Sequence, residues 1–580
     1  PQSPVFAFLL YLCPIMKKLF FTTLFILVCT ALSAQNTISQ YGQGMSATGM
    51  DGNRYDRNGN PIDTTAVIDA STVPVGLNAW KIDTRFGEMT PVPVDTLQHG
   101  FQNSNDTGGP TGHYTYLGNL GAPRISHVFF ERKESSQFFF TDPYDFTVRK
   151  PSDVVYTNTK SPFTNLTYFK QGDGRYGEER FKAYFAVNVN KRLGFGFDID
   201  YTYGRGKYDS QSTALFNGNL FAYYHGDQYD MHFSFINENL KVAENGGITD
   251  DRYITNPLEM AEGNRTYETY SIPTNLSNIW NNNTGYHAFL THRYNLGFYR
   301  DETTENDTIT KEVFVPVTSF IHTVNVDINR RKYVSYDVDQ NEEYFEHNYL
   351  GKDSLDITVG IALREGFNKW AKAGLTVFAS FEHRNFTLTD TITGTPGRRI
   401  PTTHKENILS IGGQLIKSQG KTLHYNVLGE IAMIGEDAGQ FSVEGQGDLN
   451  FRLFNDTVRL EANAYIKNLN PTFYYRHFHS KHYWWDNDLS KIMRTRIEGK
   501  LSIDRWRTQL KAGVENITNY TYLDNASVKY TNANDVVSYK NDMAVRQHSG
   551  NIQVFSASLR QDFKLGILHL DNEITYQKTS

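Results

Sequence analysis

Charged side chains two residues apart carry the most evident chemistry in this chain. Arg494, Arg496, Glu498 and Lys500 follow one another at every second position, as do Asp198 and Asp200, Arg459 and Glu461, and Arg560 and Asp562. Period two puts such residues on one face of an extended strand. With Lys182, Glu430 and Arg452 they form a set of both signs. Lining a water-filled channel, these residues would select solutes by charge and size. Arg494 and Arg496 beside Glu498 and Lys500 would set a transverse field at a constriction. The plain alternative is a solvated wall of mutually paired charges. The mixed signs predict weak ion selectivity at most.

Other chemistry is sparse. Tyr474-Tyr475-Arg476-His477-Phe478-His479 and His482-Tyr483-Trp484-Trp485 could stack on sugar rings or, through the histidines, meet a metal. The plainer reading is strand extension into an interfacial aromatic girdle. Asp56, Asn58 and Asn60 imitate the start of a calcium loop, but Pro61 stands where the loop needs Gly, so a surface turn is expected. Asn-x-Ser/Thr triplets such as Asn264-Arg265-Thr266 arise by chance in a chain this rich in Asn and Thr. No Gly-x-Ser-x-Gly, His-Glu-x-x-His, phosphate-binding loop or dinucleotide fingerprint occurs. Neither an enzymatic activity nor a cofactor is expected.

The elements that position the charges are two-faced ribbons. Phe195, Phe197, Ile199, Tyr201 and Tyr203 share one face, against Gly194, Gly196, Asp198, Asp200 and Thr202 on the other. Ile497, Leu501 and Ile503 oppose the Arg494-to-Lys500 row in the same way. About sixteen such strands fall between Phe181 and Gln577, with further candidates at 125–140 and 163–169. Short connections such as Asn190-Lys191-Arg192 and Gly226-Asp227 alternate with long polar ones at 204–218, 237–284, 327–353, 387–406, 468–493 and 517–550. That asymmetry is the pattern of a transmembrane β-barrel, short turns on the periplasmic side and long loops outside. In a soluble sandwich the apolar face would instead meet a second sheet. Asp301 to Glu312 is long where a short turn is expected, and Gly435 to Gly439 short where a long loop is expected. The expected fold is all-β, a transmembrane antiparallel barrel of about 16–18 or more strands. Because closure must leave no strand edge in lipid, strands beyond Ser580 are expected, and the C-terminus reads as truncated.

Bulk properties agree. The 580 residues carry 36 Tyr and 39 Phe, enough for aromatic girdles. Mean hydropathy is −0.51, and past the N-terminus no window is apolar enough for a membrane helix. Residues 1–15 read as upstream sequence and 16–34 as a signal peptide, with Lys17-Lys18 before an apolar stretch and Ala31-Leu32-Ser33-Ala34 at the cleavage site. Both cysteines, Cys13 and Cys29, fall in that leader. Its removal would take the net charge from −6 to −8, which argues against nucleic acid as a partner. Residues 35–110 alternate little and read as an irregular periplasmic or lumenal segment, or a disordered tail, and 111–580 as the barrel.

Several strings are similar to the putative porin family of Gram-negative outer membranes. They are Pro93-Val94-Asp95-Thr96-Leu97-Gln98-His99, Tyr116-Leu117-Gly118-Asn119-Leu120-Gly121, Tyr156-Thr157-Asn158-Thr159-Lys160-Ser161-Pro162, Tyr203-Gly204-Arg205-Gly206-Lys207-Tyr208 and Asn516-Ile517-Thr518-Asn519-Tyr520. The resemblance spans roughly residues 78–577. It implies an outer-membrane barrel more firmly than any solute, and brings no catalytic residues. The leading expectation is a porin passing small hydrophilic solutes by diffusion, with an inward-folded loop or N-terminal segment setting the cutoff. The alternatives are a gated transporter, for which residues 35–110 look short as a plug, and a non-transport barrel serving as adhesin or scaffold. Expected partners are outer-membrane lipid, lipopolysaccharide, small solutes and the barrel-assembly machinery during biogenesis, with oligomerisation open.

Overall fold

The computed structural model describes residues 76–94, 107–109, 112–172, 174–261, 267–303, 310–336, 348–367, 372–391, 399–453, 456–479, 483–531, 537–540, 542–566 and 568–580. The leader, both cysteines and the Asp56-Asn58-Asn60 turn lie outside them.

Seventeen strands close into one barrel. The first six are β1 (Phe163–Gln171), β2 (Glu178–Asn188), β3 (Leu193–Arg205), β4 (Ser212–His225), β5 (Tyr229–Ala243) and β6 (Ile279–Thr303). Then come β7 (Thr310–Ser335), β8 (Asn348–Leu363), β9 (Gly374–Thr391), β10 (Arg399–Lys417), β11 (Leu423–Ile434) and β12 (Phe441–Leu453). The last are β13 (Asp456–Leu469), β14 (Ile492–Ile503), β15 (Thr508–Asn525), β16 (Met543–Leu565) and β17 (Leu568–Thr579). Each pairs antiparallel with the next in sequence, and β17 lies beside β1.

The two faces separate as their chemistry requires. On β14, Ile497 points out at 66% exposure while Glu498 beside it is buried. On β3, Tyr201 is exposed and Asp200 and Thr202 are buried. Hydrocarbon outside tolerates Ile and Tyr, whereas a buried carboxylate needs partners, and those exist only inside.

The two irregular connections resolve differently. Within 301–312, all the described residues are strand: β6 and β7 run 25 and 26 residues and pair as far as Thr303 and Thr310. A membrane needs only about 9–11 residues per strand, so these two project beyond it. The short link after β11 turns on Gly435, whose φ of +102° suits glycine. A Cβ there would collide with the Asn407 carbonyl oxygen. Of the additional candidates, 163–169 is β1, but 125–140 is not a barrel strand. It holds only the end of a three-residue strand, Arg124–Ser126, and 3₁₀ turns at Phe129–Glu131 and Phe139–Tyr144. Its aromatics alternate poorly because they serve no membrane face: Phe130 and Phe138 are buried, and Phe138 packs with Leu350 and Phe386 on the inner wall.

Candidate functional site

The lumen is occupied. Among the described residues before β1, from Gly76 onward, the chain forms short strands and turns that dock on the inner wall. Asn78–Ile82 pairs with Met89–Val92 and with Tyr156–Asn158 in a three-stranded sheet. Its alternation buries Trp80 and Ile82 against Tyr156, Phe221, Tyr223, Ile236 and Phe289. Trp80 Nε1–H donates to His232 Nε2 at 3.1 Å, and the ring meets Tyr223 edge-on at 4.8 Å.

The turn after this strand is the best-anchored part. Asp83 Oδ2 accepts the backbone N–H groups of Arg85 and Phe86 at 3.2 and 2.7 Å. The turn closes through Gly87 at φ +66°. Three wall strands and the residue after a fourth then hold it. Phe86 is buried edge-on against Phe378 of β9 at 5.2 Å. Arg85 pairs with Glu430 of β11 at 2.6 Å. Glu88 bridges Arg293 of β6 at 2.8 Å and Arg364, just past β8, at 2.7 Å. Arg293 also donates to the Phe86 carbonyl at 2.8 Å. Burial opposes ionisation of Glu88, but the two guanidiniums outweigh it and hold its carboxyl at about 2. Between this turn and the wall lies a polar space of about 170 Å³, lined by Arg85, Asp356, Glu382, Arg384, Glu430 and Asp437 among others. Arg384 reaches Glu382, Asp437 and Glu406 at 2.7, 2.8 and 3.3 Å.

Farther along, Phe130 lies 3.9 Å under the Arg496 guanidinium. Glu134 pairs with Lys467 and Arg494, each at 3.2 Å. Arg149 reaches Asp198 and Asp200 at 3.6 and 3.3 Å, and its backbone N–H donates to Glu238. The connection after β13 folds back inside rather than extending the strands into a girdle. Phe473 stacks on Phe386 at 3.9 Å, and Tyr474 is buried with its hydroxyl on the Gly351 carbonyl at 3.0 Å. Arg476 holds Glu406 at 2.7 Å and Glu436 at 2.9 Å. His477 and His479 both hydrogen-bond Asp486, and His482 lies outside the described residues. Among the described residues no three His, Cys, Asp or Glu gather as a metal site.

The charged set read from the sequence lies on inner-face positions but not at one constriction. Asp198, Asp200, Glu430, Arg494 and Arg496 meet the lumenal segment, and Glu498 is paired to Arg496 at 2.7 Å. Lys182 is half-buried opposite Asp200 in the register. Glu461 pairs with Lys500, and Arg560 with Asp562, each at 3.2 Å. Arg452 and Arg459 are exposed near the short-turn rim. Sequence reasoning missed Glu88, Arg293, Arg364 and Arg384. Arg384 was open to discovery, since it stands two residues from Glu382; Glu88 carries no local signal at all.

A barrel with this wall and this occupied lumen matches one family model, described as Putative porin, over residues 76–580. The chain belongs to that family. It is thereby an outer-membrane β-barrel of a transport family. No curated protein matches. Solved structures that are similar include the siderophore receptor PirA from Acinetobacter baumannii, at 11% identity and TM-score 0.47, covering 90% of this chain and 72% of that one. A mutant of the ferric enterobactin receptor from Pseudomonas aeruginosa matches at 10% identity and TM-score 0.46, over 73% of this chain. This porin-family chain spans 64% of that receptor's length.

Proposed function

We propose that this barrel is a gated conduit for small hydrophilic solutes, closed at rest by the described lumenal residues that precede β1. The observation that carries this reading is the anchored turn at 83–88, fixed by Phe86, Arg85 and Glu88 to three wall strands and to Arg364 just past a fourth. A lumen so occupied obstructs the continuous water column that unhindered diffusion uses. Solute passes when the segment shifts, and the mixed charges of the inner wall then line its path. Phe473 and Tyr474 of the connection after β13 pack on Phe138 of this segment and on Phe386 of the wall, which helps hold it in place. The export route fitting this reading is a cleaved leader at 16–34.

The family description favours a second reading, passive diffusion through gaps left beside the segment. Planar-bilayer recording separates the two. The gated reading expects rare, brief openings from the wild-type chain and frequent ones from Glu88→Gln. Steady conductance from the wild type, unchanged in that variant, would leave only the passive reading.

A further inference from the structure

At the short-turn rim, the links β14–β15 and β16–β17 enclose an open cleft of about 630 Å³. It is lined by Arg505, Trp506, Arg507 and Thr508 from one side and by Gln561, Asp562, Phe563 and Lys564 from the other. That volume falls within the roughly 300–1,000 Å³ of ordinary small-ligand sites. Elsewhere on this part of the wall the cations are neutralised: Arg494 by Glu515, Arg496 by Glu498, Lys500 by Glu461 and Arg560 by Asp562. In the cleft, Arg505, Arg507 and Lys564 are exposed and make no ion pair among the described residues. Asp562 is engaged by Arg560 and faces Asp571 across the ladder, and Asp504 is the acid on the Arg505–Arg507 turn; the lining itself carries three cations against one carboxylate.

The cleft has a scaffold. Gln561 donates to the Trp506 carbonyl at 2.8 Å and accepts from Thr508 at 2.5 Å, so the turn is fastened to β16. Arg507 stands at φ +50°, a conformation that favours glycine or asparagine. Beside the cations, Trp506 is 52% exposed, and Phe563, Leu565 and Leu568 present an apolar ledge outward. An indole flanked by cations above exposed apolar side chains is what a membrane–water interface accommodates.

We propose that this cleft binds the phosphate headgroup of an anionic phospholipid. Arg505 and Arg507 take the phosphate, Lys564 at the end of β16 adds positive charge from the inner-face side of the rim, Trp506 lies at the glycerol level, and the ledge of Phe563, Leu565 and Leu568 meets the acyl chains. Guanidiniums suit this role because their fork matches phosphate oxygens two at a time. The occupant is a lipid rather than a free anion because the apolar ledge adjoins the charges. The inference rests on the outer-membrane location and not on gating.

The test places the full chain in nanodiscs and reads quenching of tryptophan emission by brominated phosphatidylglycerol or brominated phosphatidylethanolamine. Subtracting the Trp506→Phe variant isolates the Trp506 signal. The expected result is a preference for phosphatidylglycerol on the order of tenfold, falling to about parity in Arg505→Gln/Arg507→Gln/Lys564→Gln. Arg507→Gly removes one charge while relaxing the backbone, so it keeps the fold and should lower the preference severalfold. Equal quenching by the two lipids in the wild type, or a preference unchanged in the triple variant, would overturn the proposal. So would loss of the preference on adding millimolar inorganic phosphate, which would assign the cleft to a free anion.

Discussion

Replacing Glu88 by Gln removes one negative charge from between two guanidiniums. Its ordinary carboxyl value is 4.5, and here it is held at about 2. At about 1.4 kcal/mol per unit, that difference amounts to about 3 kcal/mol of docking free energy at neutral pH. Removing one partner of a buried pair costs about 3–5 kcal/mol by an independent route. Glu88 keeps 26% of its side-chain surface, so the lower figure applies. About 3 kcal/mol multiplies the undocked population of the 83–88 turn by roughly a hundred. The pH dependence follows from the sign. The group's folded value is depressed, so its contribution is complete above pH 4.5 and disappears as pH falls through about 2. Wild-type openings should therefore be constant from about pH 7 to about pH 5 and rise on further acidification, while Glu88→Gln is already open at about pH 7 and loses this response. The assay is single-channel open probability, together with maleimide labelling of a cysteine placed at Arg85. Unchanged openings and labelling in Glu88→Gln would refute the assignment of this turn as the latch.

Three further outcomes test other parts of the molecule. Trp80→Ala should cost the lumenal sheet about 3–5 kcal/mol, seen as protease sensitivity of residues 76–160 with the barrel still heat-modifiable on gels. Tyr474→Phe should cost about 1 kcal/mol through its lost hydrogen bond to Gly351, whereas Phe473→Ala should free the whole 470–491 connection, seen as faster amide exchange there. Gly435→Ala should cost about 3 kcal/mol and lower the folded yield, while Gly499→Ala, with nothing within 4 Å of the added methyl, should change it by less than about 0.5 kcal/mol.

The barrel was legible because its two solvents sort residues at period two. Asp198 and Asp200 against Ile199 and Tyr201 needs only the pleat and the difference between lipid and water. The lumenal segment was legible only as an irregular stretch with the lumen or the periplasm open to it; its elements and wall contacts were not, for a physical reason. Its strands are three to five residues long, too short for periodicity, and their stabilising partners are remote in sequence. Trp80 meets His232 across 152 positions and Glu88 meets Arg364 across 276. The Tyr474-to-Trp485 stretch misled for another reason. An aromatic at a membrane interface and one buried in a lumen have the same composition, and only the Phe386 ring waiting inside distinguishes them. The long-looking link at Asp301 to Glu312 misled because polar residues outside a membrane can continue a ladder as readily as end it.

How far the lumenal segment can move is constrained by where its charges end. Full ejection would separate Arg85 from Glu430, Glu88 from Arg293 and Arg364, Glu134 from Lys467 and Arg494, and Arg149 from Asp198 and Asp200. Counting about 3 kcal/mol once for each of the four segment side chains that loses its partners, Arg85, Glu88, Glu134 and Arg149, the sum is about 12 kcal/mol, comparable with the whole stability of an ordinary domain. Four apolar clusters, around Trp80, Phe86, Phe138 and Tyr144, would be exposed as well. Thermal fluctuation does not populate such a state on a useful scale. Releasing the 83–88 turn alone frees two of those four side chains and one cluster, so spontaneous opening should be partial. The conductance of the open wild-type channel is therefore expected to be a small fraction of that for a chain lacking residues 76–160. An equal conductance in the two would mean that the segment leaves as a unit, and that the wall contacts are far weaker than their geometry implies.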